Sequence, residues 1–163
     1  MDISIEWTKL LGSNEWASAN AITIGLDGSI YIAGETSGDL YAQTNKGGYR
    51  DAFISKFNSG GEQQWTKLLG SNEWDSANAI TIGLDGSIYI TGNTSGDLDG
   101  QTNSGSSDAF ISKYNPNGTK EWTKLLGSSN GVVAEVNIPG GVNLVEINND
   151  LATALTTGSD GSI

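Results

Sequence analysis

The chain has 163 residues, a length for one domain with a substantial core. Nineteen acidic side chains against eight basic ones leave a formal charge of −11, a balance that repels phosphate backbones and anionic headgroups and argues against a nucleic-acid partner. With no cysteine and no histidine, thiolate chemistry, imidazole base catalysis, disulfides and the usual structural zinc are excluded. The apolar runs are only a few residues long, so no membrane insertion is expected, and Met1 to Glu6 lacks the basic stretch and apolar core of a signal peptide. Abundant glycine (23 residues) with only 2 prolines points to many short strands joined by tight turns.

Ile3 to Leu11 reads as the first strand, equivalent to the outer, fourth strand of a sheet. Within it begins a repeat: Trp7-Thr8-Lys9-Leu10-Leu11-Gly12 recurs at Trp65 to Gly70 and again at Trp122 to Gly127, spacings of 58 and 57 residues. Between Trp7–Asn45 and Trp65–Asn103 only five of 39 paired positions differ: Ala17/Asp75, Ala33/Thr91, Glu35/Asn93, Tyr41/Asp99 and Ala42/Gly100. The one-residue change of period falls where Lys46-Gly47-Gly48-Tyr49-Arg50 faces Ser104-Gly105-Ser106-Ser107, which marks an exposed loop.

Four strands follow within each copy. In the second they are Ala79 to Leu84, Ser87 to Gly92, Asp108 to Tyr114 and Lys120 to Leu126. Asp85-Gly86 joins the first two and predicts a type I′ hairpin with positive φ at both central residues. Asn115-Pro116-Asn117-Gly118 turns the last pair. Ile88-Tyr89-Ile90 and Phe110-Ile111 put apolar groups on both faces, so each sheet is expected to be covered on both sides. Four antiparallel strands per repeat make a β-propeller blade. A β-turn solenoid would use much shorter periods, and a sandwich has no need of near-identical consecutive copies.

The third copy departs from the pattern. Val132 to Ile147 reads as an inserted hairpin with a Pro139-Gly140-Gly141 turn, after which Ala152–Ile163 matches Ala77–Ile88 at eight of 12 positions. The expected organisation is therefore all-β: residues 1–12 the outer strand of an incomplete blade, 13–70 the first blade, 71–127 the second, and 128–163 a partial blade carrying the insertion. Propellers close with four to eight blades. Two blades and parts of a third imply a fragment of a longer propeller, or a subunit that closes by self-association through its open blade edges.

The set formed by the Trp-Thr-Lys-Leu-Leu-Gly-Ser string, Asp75 to Ile80, Asp85 to Ser95 and Asp108 to Asn115 resembles the bacterial SBBP-type β-propeller repeat. That resemblance covers about residues 6 to 127 and returns at the end. It implies a blade, usually found in long secreted or cell-surface proteins, with no common catalytic residue. Ala17 stands where Asp75 matches the acidic position of the repeat, so this acid is not required in every copy.

Two groups of residues are candidates for ligand chemistry. Trp16 and Trp74, beside Asn14 and Asn72, could stack on sugar rings at matching positions and give multivalent, lectin-like glycan binding. The competing reading has them wedged between blades. Trp7, Trp65 and Trp122 lie within predicted strands and read as structural. Asp97, Asp99 and Asn103, with Asp108 further on, supply the hard oxygen donors that Ca²⁺ takes, but lack the downstream glutamate of an EF-hand, and Asp99 is Tyr41 in the first copy. Loop hydrogen bonding by Asx turns is the alternative. No other cofactor is expected, no histidine is present to activate a serine, and a carboxylate pair such as Asp97/Asp99 sits on a duplicated loop whose first-copy counterpart has lost one acid, so no catalysis is expected. The reading of the whole is a noncatalytic β-propeller repeat module for protein interaction or surface scaffolding, with lectin-like glycan binding as the alternative.

Overall fold

The computed structural model describes residues 7–127 and 152–156. Within them the chain forms two four-stranded antiparallel meanders in sequence order and no helix. The first consists of β1 (Ala17–Ile24), β2 (Ile30–Thr36), β3 (Asp51–Phe57) and β4 (Gln63–Leu69); the second consists of β5 (Asp75–Ile82), β6 (Ile88–Thr94), β7 (Asp108–Tyr114) and β8 (Lys120–Leu126). These are two propeller blades, and they do not close a ring among the described residues. The expected hairpin at 132–147, like most of the predicted partial blade at 128–163, lies outside the described residues.

The four short connections, β1–β2, β3–β4, β5–β6 and β7–β8, close in the same way. Gly83 N–H donates to Ser87 O and Gly86 N–H to Gly83 O, and the same pair of bonds recurs at Gly25/Ser29, Asn58/Glu62 and Asn115/Thr119. This is a type I turn followed by one left-handed glycine, not the type I′ turn expected at Asp85-Gly86. Gly86 alone carries positive φ, 78°. The cause is local: the Asp85 carboxylate accepts from the Ser87 N–H at 2.9 Å and from its hydroxyl at 2.8 Å, which suits a loop one residue longer. A two-residue turn with both φ positive does form, inside the β6–β7 loop. There Leu98 and Gln101 exchange backbone bonds around Asp99 (53°) and Gly100 (74°), and Leu40 and Gln43 do so around Tyr41 and Ala42.

The inner strand is longer than predicted. β5 begins at Asp75 because a bulge at Asn78, between Ala77 and Ala79, carries the ladder on to Asp75 opposite Thr94. β1 has the same bulge at Asn20. Trp7 to Leu11, predicted as strand, is not one. A fourth strand exists by pairing with the third strand of its own blade, and none of the described residues supplies that partner. Trp7 nevertheless keeps its place in the repeat. It lies over the β3–β4 turn at Gly61 as Trp65 lies over the β7–β8 turn at Gly118, where a methyl group would come within 2.8 and 2.9 Å of the respective indoles.

The core lies between the blades. Tyr31, Ala33, Ala52, Ile54 and Leu69 of the first pack against Ile80, Ile88, Ile90, Phe110 and Tyr114 of the second. Strand alternation selects these residues: β2 turns Tyr31 and Ala33 one way, and β6 turns Ile88 and Ile90 the other. Repeat-equivalent residues consequently meet different fates. Ile80 is 7 % exposed, whereas Ile22 at the same position of the first blade is 67 % exposed. Burying one such side chain contributes about 1.5–3 kcal/mol.

Candidate functional site

The loops preceding β1 and β5 bring Trp16 and Trp74 to the same end of neighbouring blades, where each remains about half exposed. Between the two rings lies a residue that the sequence reading did not single out. The Arg50 guanidinium carbon sits 4.0 Å from the Trp16 ring centroid and 4.8 Å from that of Trp74, within cation–π range of both. Glu35, buried at the end of β2, accepts from Arg50 Nη1 at 2.9 Å and from Trp74 Nε1 at 2.8 Å. Backbone bonds fix the frame. Asp75 N–H donates to Arg50 O at 2.8 Å, and the residues around Arg50 and Trp74 form a parallel bridge.

Asn14 lies beside Gly38, and the backbone of Asn72 lies against Gly48. Both flank the cluster, and among the described residues neither side chain hydrogen-bonds to it. A signal for Glu35 and Arg50 was present in the sequence. Glu35/Asn93 is one of the five departures from the repeat, and Arg50 stands in the loop that changes length, facing Ser107. Two departures in one copy carry opposite charges.

The acidic loop has internal partners. Asp97 Oδ1 accepts from Asn103 N–H at 2.9 Å, and Asn103 in turn donates to Thr94 O at 3.0 Å. Asp99 is bound by the Lys120 ammonium and the Thr123 hydroxyl. Asp108 Oδ2 accepts from Ser104 N–H at 2.9 Å. Among the described residues no group of three or more His, Cys, Asp or Glu side chains is gathered closely enough to hold a metal ion.

Bulge residues stitch one inner strand to the next. Asn20 Nδ2 donates to Ala77 O at 3.0 Å, and Asn78 Nδ2 donates to Ala152 O at 3.2 Å. Ala152 is buried against Ala109 and Leu126, as Ala77 is buried in the cluster containing Ala52 and Leu69. Ala152 thus occupies in the third copy the position that Ala77 holds in the second, which is where the sequence repeat aligns it. Residues 64–99 match the SBBP family model, a beta-propeller repeat. The chain is also similar to the Regulatory protein FlaEY of Caulobacter vibrioides, at 27 % identity over 82 % of this chain and 16 % of that protein. It therefore spans well under two thirds of the relative's length.

Each SBBP-like blade buries acids at its seam. Asp51 and Asp108, equivalent residues at the starts of β3 and β7, are fully buried, as is Asp75 at the start of β5. Asp51 Oδ2 accepts from Lys46 N–H at 2.8 Å, and Asp75 Oδ2 accepts from Ser71 N–H and from the Ser71 hydroxyl. Among the described residues, Oδ1 of all three acids has no hydrogen-bond partner. Asp51 Oδ1 and Asp108 Oδ1 instead lie against the α-carbons of Gly70 and Gly127, the final glycines of the Trp-Thr-Lys-Leu-Leu-Gly string. Burial, with a smaller push from the Asp75 charge, raises the Asp51 carboxyl to about 6; burial raises Asp75 as well.

Proposed function

We propose that the chain is a noncatalytic β-propeller repeat module whose loop end, where the inner strands begin, recognises a partner protein. The observation that carries this reading is the pair of half-exposed tryptophans, one from each blade, held at a single seam with Arg50 between them. Blades supply a rigid frame, and recognition resides in the loops they hold. Tryptophan and arginine are the residue types that concentrate binding energy at protein interfaces. The word "regulatory" in the name of the relative is in keeping with interaction rather than turnover.

A lectin-like role would use the same two rings, but Arg50 lies against both of them and leaves a sugar only the remaining surfaces. Peptide and glycan arrays probed with the native chain and with a Trp16→Ala/Trp74→Ala variant test the choice. Peptide binding lost in the variant is the expected result; binding confined to glycans overturns it. Self-association is a second reading, favoured by Ile22 and Ile24, which leave exposed on the first blade the face that, at Ile80 of the second blade, the first blade covers. Light scattering coupled to size exclusion tests it, and a monodisperse monomer at high concentration removes it.

A further inference from the structure

We propose that Trp16, Trp74 and Glu35 form a cation-binding aromatic cage whose resident occupant is Arg50, and whose external ligand is a methylated ammonium or guanidinium group on a basic segment of the partner protein. The inference rests on the reading of this loop end as a recognition surface and names its chemistry. Two indoles face a common slot, their centres within about 9 Å of one another because a single guanidinium carbon reaches both. A buried carboxylate closes the back of the slot, and its two oxygens are already oriented, one by Trp74 Nε1 and the other by the guanidinium. Aromatic faces plus a desolvated anion select a weakly hydrated cation over a neutral or anionic group. The formal charge of −11 draws such a ligand in from a distance.

The occupant is separable from the cage. The backbone of Arg50 is pinned by the Asp75 N–H, but its side chain is about one-third exposed and springs from a loop that differs in length between copies. Rotation about side-chain bonds alone frees the slot. An external cation must then compete with an intramolecular one, so Arg50 weakens the site and restricts it to ligands with further contacts nearby. The second blade has Asn93 and Ser107 in place of Glu35 and Arg50 and carries neither the carboxylate nor the plug.

The test titrates the 163-residue chain with tetramethylammonium chloride at constant ionic strength, following tryptophan fluorescence and the indole N–H signals in NMR spectra. In the native chain the Trp74 indole signal is expected to shift as Glu35 is released from Arg50. Arg50→Ala, or Arg50→Gln if the alanine variant does not fold, is expected to bind the probe at least ten-fold tighter. Adding Glu35→Gln is expected to reverse that gain ten-fold or more, and tert-butanol, the uncharged isostere, is expected to give no saturable response. An unmoved Trp74 signal in the native chain, a folded Arg50 variant that does not saturate, or equal binding of tert-butanol overturns the cage. If peptide recognition through Trp16 and Trp74 persists in that event, the broader interaction role stands without it. If the native chain binds no peptide while the cation response remains, the broader role fails alone.

Discussion

Asp51 makes the protein's stability depend on pH in a direction opposite to that of most paired carboxylates. Burial, with a smaller push from the Asp75 charge, raises its carboxyl to about 6 in the fold against an ordinary value of 3.8, and among the described residues only its Oδ2 is hydrogen-bonded. Between those values the folded chain holds a proton that the unfolded chain has released. The Asp51 contribution to folding stability is therefore greatest below 3.8 and is lost as the pH rises through 6, by about 3 kcal/mol in total, of which roughly half falls between pH 5 and pH 7.5. Asp75, raised for the same reason, adds a contribution of the same sign. Asp27 and Asp85 act in the opposite sense, since hydrogen bonds from Ser29 and Ser87 hold them below 3.8. Their contribution is lost only at pH values under that interval. The perturbation is Asp51→Asn, which keeps an acceptor for the Lys46 N–H and cannot ionise. Urea unfolding followed by tryptophan fluorescence at half-unit steps from pH 5 to 7.5 is expected to show the native chain losing stability more steeply, by roughly 1.5 kcal/mol over the range. Parallel curves for the native chain and Asp51→Asn, or a native chain that grows more stable with rising pH relative to the variant, would refute the reasoning.

Three further substitutions probe the seams and the blade interior. Gly70→Ala puts a methyl 2.2 Å from Asp51 Oδ1 and is expected to cost about 2 kcal/mol or more, whereas Gly12→Ala, at the same position of the motif with nothing within 4 Å, should change the urea midpoint little. Asn20→Ala removes the bond to Ala77 O that ties the two inner strands together, for an expected loss of about 1 kcal/mol in the same assay. Thr66→Val strands the buried Ser55 hydroxyl, now 2.7 Å from Thr66 Oγ1, at a cost of about 1–3 kcal/mol. Adding Ser55→Ala should recover part of that loss, and a double mutant no more stable than Thr66→Val would show that the hydroxyl pair is not coupled.

Local chemistry was enough to place the four strands of each blade and their connections, though not the turn type at Asp85-Gly86, the start of β5 or the state of Trp7 to Leu11. β7 and β8 begin and end where alternation and turn residues put them, and the near-identity of the copies required two like meanders. Even the third copy, broken by an insertion, is registered correctly at Ala152 because the repeat aligns it with Ala77. These are properties of neighbours along the chain, where φ preferences and side-chain period act directly. What one blade does to the next was decided only in three dimensions. Ile22 and Ile80 share a sequence context, yet one is exposed and the other buried, since burial depends on which sheet lies opposite. Arg50 comes between Trp16 and Trp74 only because neighbouring blades bring those loops together. Asp51 acquires its high affinity for a proton only once folding buries it away from water. Packing and desolvation sum over residues far apart in the chain, and no stretch of sequence contains that sum.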